Sequence, residues 1–242
     1  MKRVLCSIGI GAATVDTVLP RAKVTPGDTV TADVNLYGGD ATQEIQGTRF
    51  VLKARLSGGA DEERVVGEFG VEETITLEPD DERTIPVDVH VPLWTPITEG
   101  GASVWLETRL TIDWAVDPSD EARIEVVPDR YTAALFDAVE KLGYALRRSE
   151  LVEGTYLDDR PFAQRFDFAP TDPGVGDLDG IELTIMPREE DLRVFAGFSQ
   201  RDAVAEEYDV RFDDHEVSIT FDRDDASLMS RRLRSEIKQL TS

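Results

Sequence analysis

Cysteine, histidine and lysine are scarce in this 242-residue chain, and long apolar runs are missing from it. Cys6 is the single cysteine, which excludes an internal disulfide and a cysteine-built metal cage. The chain reads as cytoplasmic on that ground. No apolar stretch approaches the roughly 20 residues needed to cross a bilayer. Lys2 and Arg3 do precede an apolar segment, but Gly9 and Gly11 break it. A strand-like Thr14-Val15-Asp16-Thr17-Val18-Leu19 follows, which argues against a secretory signal. His90 and His215 are the only histidines, and neither lies in an H-x-H or H-E-x-x-H setting. His90 fits an outward strand position and His215 a place beside a hairpin turn. No serine has the G-x-S-x-G elbow of a hydrolase, and Cys6 in its glycine-interrupted segment reads as an incidental or buried thiol.

A basic excess is also lacking. Asp plus Glu total 49 against 26 Lys plus Arg, a formal charge of −23. Lys2, Lys23, Lys53, Lys141 and Lys238 are the only lysines. Such a chain offers no electrostatic footprint for DNA or RNA. Its acids are spread over nearly every segment rather than clustered, which speaks for adaptation to a KCl-rich cytosol over a dedicated polycation or calcium binder. In molar salt the Debye length falls to about 3 Å, and self-repulsion is largely screened.

What is present is alternation. Val30, Ala32, Val34 and Leu36 share one face, as do Phe50, Leu52, Ala54 and Leu56. Ile85, Val87, Val89 and Val91 repeat the pattern, with Pro86 pointing to an edge strand. Val104, Leu106, Thr108, Leu110, Ile112 and Trp114 form the longest run, and Ala122, Ile124 and Val126 close the series. Turn chemistry at Pro26-Gly27-Asp28, Gly38-Gly39-Asp40 and Glu78-Pro79-Asp80-Asp81 separates them. Seven or eight half-buried strands without helical period predict an antiparallel sandwich. Val91-Pro92-Leu93-Trp94-Thr95-Pro96-Ile97 carries two prolines and reads as a loop crossing between sheets.

After Pro128 the period becomes helical. Leu135, Val139, Leu142 and Leu146 make one stripe, with Asp129 suited to the N-terminal end and Arg147-Arg148 to the last carbonyls. The spacing predicts a helix over about 130–148, long enough to connect two lobes. The expected organisation is an N-terminal lobe over 1–128, a connecting helix over 129–148 and a C-terminal lobe over 149–242. In the last, alternation returns at Phe166-Phe168, Ile181–Ile185, Leu192–Phe198, Tyr208–Phe212 and Val217–Phe221. Met229, Leu233, Ile237 and Leu240 predict a docked terminal helix.

Two motifs are set aside. Gly9-Ile10-Gly11-Ala12-Ala13-Thr14 begins like a dinucleotide fingerprint, but Thr14 replaces the last glycine and the segment leads into a strand. Asp172-Pro173-Gly174-Val175-Gly176-Asp177-Leu178-Asp179-Gly180 offers oxygen ligands, but without the spaced acids and closing Glu of a calcium loop, so a solvated acidic loop is expected.

Several of these segments together resemble the sporulation-control protein family, relatives of the arrestins. Gly9 to Leu19, Pro26-Gly27-Asp28-Thr29-Val30, Gly38-Gly39 and Gln43-Glu44-Ile45 carry the resemblance. So do Val104-Trp105-Leu106-Glu107-Thr108-Arg109-Leu110-Thr111-Ile112-Asp113-Trp114, Leu142-Gly143-Tyr144 and Pro161-Phe162-Ala163-Gln164-Arg165-Phe166-Asp167-Phe168. The resemblance implies a mainly β fold of two arrestin-like, immunoglobulin-like β-sandwich lobes with an interlobe and a C-terminal helix. It also implies a regulatory or scaffolding protein with no catalytic residues and no cofactor. The expected partner is a protein, with a homodimer among the options and no nucleic acid or membrane span. Trp105 is the candidate contact: parity sets it opposite Leu106 and Leu110, on the outer face of its sheet. Packing beneath a helix is the competing expectation for it, because burial of an indole is strongly favourable. The alternative function is a small-molecule or cation-binding module, possibly a hydrolase, supported only by the loop 172–180.

Overall fold

The computed structural model describes residues 11–20, 23–56, 63–112, 117–153, 160–172, 178–200 and 217–222, together with positions 231, 232 and 235. They are mainly β and fall into two compact units. The first takes in described residues up to Arg55, from 63 to 97 and from Ser103 to Val126; the second takes in 98–102 and the described residues from Val127 onward.

Among the described residues, nine strands build the first unit: β1 (Thr14–Val18), β2 (Lys23–Val24), β3 (Thr29–Tyr37), β4 (Gln43–Leu56), β5 (Arg64–Val71), β6 (Ile75–Leu77), β7 (Glu82–His90), β8 (Ala102–Ile112) and β9 (Ser119–Val126). A smaller sheet has the order β1-β3-β7, and a larger one β2-β9-β8-β4-β5 with β6 paired to β4. The alternation in β3 and β7 points Val30, Ala32, Val34, Leu36, Val87 and Val89 inward. Opposite them lie Phe50, Leu52, Leu106, Leu110 and Ile124. Burying each such aliphatic or aromatic side chain is worth about 1.5–3 kcal/mol. Thr17 joins the two sheets: its Oγ1 donates to Thr108 Oγ1 at 2.7 Å, and its amide to Asp120 at 2.7 Å.

Pro86 lies on the edge strand β7, as its missing donor predicts. It pairs with Asp33, and a proline can take such a place only where its nitrogen points away from the neighbouring strand. Residues 91–101 form no ladder and carry the chain from the small sheet to the large one. Val91 is pinned at the start of that loop by the turn before β3: the Gly27 amide donates to the Val91 carbonyl, and the Val91 amide to the Asp28 carbonyl.

The second unit opens on α1 (Arg130–Glu140), followed by β10 (Tyr144–Val152), β11 (Ala163–Pro170), β12 (Leu178–Pro187), β13 (Asp191–Gln200) and β14 (Val217–Asp222). These strands form one antiparallel sheet in sequence order. Asp129 caps α1, accepting from the amides of Tyr131 and Thr132 at 3.1 and 2.7 Å. Phe136 sets its ring edge-on to Phe166 and Phe168 at 4.9 and 5.4 Å, which seats the helix on the sheet.

The expected helix over 130–148 is too long. It ends at Glu140, because Gly143 takes φ +89° and turns the chain. Leu146 and Arg148, expected on the helix, lie in β10, where Arg148 Nε contacts Asp167 at 2.5 Å. The expected strand Tyr208–Phe212 lies outside the described residues, as does most of the terminal helix. Positions 231, 232 and 235 are helical, and Arg232 donates to the Thr220 carbonyl at 3.1 Å.

Candidate functional site

The outer face of the larger sheet in the first unit holds most of its notable chemistry. Alternation directs Lys53 and Arg55 of β4, Trp105, Glu107 and Arg109 of β8, and Arg123 of β9 away from the apolar core. Trp105 is on that face, opposite Leu106 as parity requires, but it is only 6% exposed. Of the two expectations for Trp105, the outer-face position and burial of the ring, the structure combines both. Arg55 lies over its ring at 5.7 Å, and Arg123 is its cross-strand neighbour. The indole nitrogen is buried with no acceptor. Large size and parity suggested this position from sequence; the cover over the ring did not show there.

Two residues along β8, Glu107 is 6% exposed and ion-paired on both sides. Lys53 Nζ stands 2.5 Å from one carboxylate oxygen, and Arg109 Nε 2.5 Å from the other. Glu63 adds a second contact to Lys53 at 3.2 Å. Burial alone would push the Glu107 carboxyl up; the hydrogen bonds from Arg109 and Lys53 outweigh it and hold the group below its ordinary range. The same pairing raises Lys53. The paired groups join β4 to β8 and fix the side-chain geometry between them. Glu107 went unnoticed in the sequence because an acid on a strand face is common in so acidic a chain.

The residues that carry the family resemblance are occupied with backbone. A Cβ on Gly38 would sit 2.0 Å from the Glu78 carbonyl oxygen, and one on Gly39 2.2 Å from that of Gly11. The Gln43 side chain accepts from the Ala13 amide, and the Asp40 amide donates to the Gly11 carbonyl. Together these tie the chain before β1 to the turn after β3. In the second unit, Gly143 ends α1, Tyr144 donates its hydroxyl to the Leu178 carbonyl, and Phe162 is 1% exposed.

His90 is exposed at the end of β7, with Thr29 Oγ1 3.5 Å from its ring nitrogen. Cys6 and His215 lie outside the described residues, as do residues 173–177 of the acidic loop. Among the described residues no group of three or more His, Cys, Asp or Glu is placed to hold a metal ion, and no helix is long and apolar enough to cross a membrane.

Comparison with known proteins agrees in sequence and in structure. The family described as SpoOM protein matches residues 1–202. The sporulation-control protein spo0M of Bacillus subtilis (strain 168) is 32% identical over 207 residues, covering 83% of this chain and 80% of that protein. The crystal structure of Spo0M from Bacillus subtilis superposes with a TM-score of 0.79 at 26% identity, over 95% of this chain and 99% of that one.

Proposed function

Because the chain belongs to the SpoOM protein family, we propose that it is a non-enzymatic regulatory scaffold that binds protein partners inside the cell. The observation that carries this reading is the use to which the family-like residues are put. Gly38, Gly39, Gln43, Gly143 and Tyr144 all hold backbone in place, and Glu107 is locked between two bases. An arrestin-like sheet surface held rigid in this way is a platform for recognition, and rigid presentation lowers the ordering cost of binding. The relative's name, sporulation control, supports a regulatory role; which process this chain regulates is set by its partner.

The test is affinity capture from a lysate in molar KCl, read by mass spectrometry, with the captured protein then purified and rebound by calorimetry. A discrete partner that rebinds one-to-one is expected. A folded bait that captures nothing, in repeated preparations, overturns the scaffold reading.

A further inference from the structure

Carboxylates outnumber bases so heavily here, 49 to 26, that a surface without an acid excess stands out. The outer face of the larger sheet carries Lys23, Arg49, Lys53, Arg55, Arg109 and Arg123 against Glu68, Glu107, Glu121 and Glu125. Four of these are engaged: Lys23 with Glu125 at 2.8 Å, Arg49 with Glu68, and Lys53 and Arg109 with Glu107. Arg55 and Arg123 are different. Both are exposed, and among the described residues neither has a carboxylate partner. They flank the same residue: Arg55 stacks over the Trp105 ring, and Arg123 sits directly across the strand pair from it. Among the described residues the buried indole N–H has no acceptor.

We propose that the Arg55–Trp105–Arg123 row is the docking site for an extended acidic segment of a protein partner, whose carboxylates lie against the two guanidiniums. The inference rests on the scaffold reading and adds to it the face used and the chemistry of the occupant. Guanidinium is suited to the task because its planar fork pairs bidentately with carboxylate. Stacking on the indole holds Arg55 in one orientation, so less side-chain entropy is lost on binding. The acids nearest the row, Glu121 and Glu125, lie two positions either side of Arg123 on β9, Glu125 being engaged by Lys23, and charge beyond about 8–10 Å is screened at physiological ionic strength. Specificity follows from the same geometry: a basic segment would face two unpaired cations.

The experiment is fluorescence anisotropy with a labelled peptide of alternating Glu and Leu, and a control in which Lys replaces each Glu. The proteins are the wild type and the double variant Arg55→Gln, Arg123→Gln, whose exposed side chains can change without loss of the fold, checked by melting. The acidic peptide should bind the wild type, weaken as KCl is raised, and lose about tenfold or more in Kd in the double variant; the Lys peptide should not bind. Failure of the acidic peptide to bind the wild type at any KCl concentration overturns the proposal, as does equal binding to both proteins. If the double variant still captures and rebinds the partner as tightly as the wild type does, the scaffold reading stands and this face is not its contact.

Discussion

At the residue scale, Trp105 combines deep burial with an indole N–H that has no acceptor, and the two properties pull in opposite directions. Trp105→Ala removes the packing and should cost about 3–5 kcal/mol, measured by urea unfolding. Trp105→Phe keeps an aromatic ring beneath Arg55, removes the unpaired donor and leaves a smaller cavity than alanine does, so it should cost less than Trp105→Ala, about 1–3 kcal/mol. A Phe variant as unstable as the Ala variant would show that the ring beneath Arg55 does not carry the stability of this position. Glu107 gives a prediction with a defined sign. Its carboxyl titrates below its ordinary value because Arg109 and Lys53 stabilise the anion. The stability this contributes is fully present above the unfolded value, about 4.3, and is lost as pH falls through the lower folded value. Glu107→Gln removes that dependence and should cost about 1–3 kcal/mol at neutral pH. Below about pH 4 the gap in melting temperature between the two proteins should narrow. A gap that stays constant from pH 7 to 3 would show that the ion pairs contribute nothing to the fold.

Among the elements, the tightest joins are at the turn after β3, where Gly38 meets Glu78 in the turn before β7 and Gly39 meets Gly11 in the chain before β1. Gly38→Ala and Gly39→Ala each press a methyl group into backbone carbonyl oxygen, and no rotamer change relieves a backbone clash. Each should cost at least about 3 kcal/mol in chemical unfolding. Gly143→Ala, where φ is +89°, puts a side chain in the left-handed region and should cost nearer 1 kcal/mol. If all three cost the same, the close approach at β3 is not the constraint it is taken to be. The elements were legible in sequence wherever one face meets the core and the other meets water, as in β3, β7 and β12. They were obscured where that condition fails. β5 hides because Val65 faces out at 52% exposure, Val66 faces in, and the register shifts opposite Leu52 and Lys53. α1 was drawn too long because Leu142 and Leu146 continue its apolar stripe by coincidence, and only the positive φ of Gly143 ends it. The outer face of β8 was half legible: parity gave the side on which Trp105 lies, while partners from β4 and β9 are set by strand order, which no local pattern encodes.

At the scale of the whole molecule, the governing quantity is the charge of −23, and one variable, KCl concentration, acts on it in two ways. Raising KCl from about 0.1 M to molar shortens the Debye length from about 10 Å to about 3 Å. Repulsion among dispersed carboxylates then fades, and the compact state gains. The melting temperature should rise steeply over that range. Sucrose provides the control, since it favours compact states by exclusion from the protein surface without screening charge. If KCl raises melting no more than sucrose does, self-repulsion is not what limits this fold. The same screening weakens any contact made through Arg55 and Arg123, because exposed ion pairs are sensitive to salt. Stability and docking should therefore run in opposite directions along one KCl titration, with melting temperature climbing while affinity for an acidic segment falls. Scattered like charges repel through solvent over many ångströms, whereas the row at Trp105 acts at contact and through the fixed geometry of two guanidiniums. A partner that works in high salt must accordingly add apolar contacts to its carboxylates. Alternating Glu and Leu should keep more of its affinity in molar KCl than alternating Glu and Ser, and the same anisotropy titration, run with both peptides, reads that difference directly.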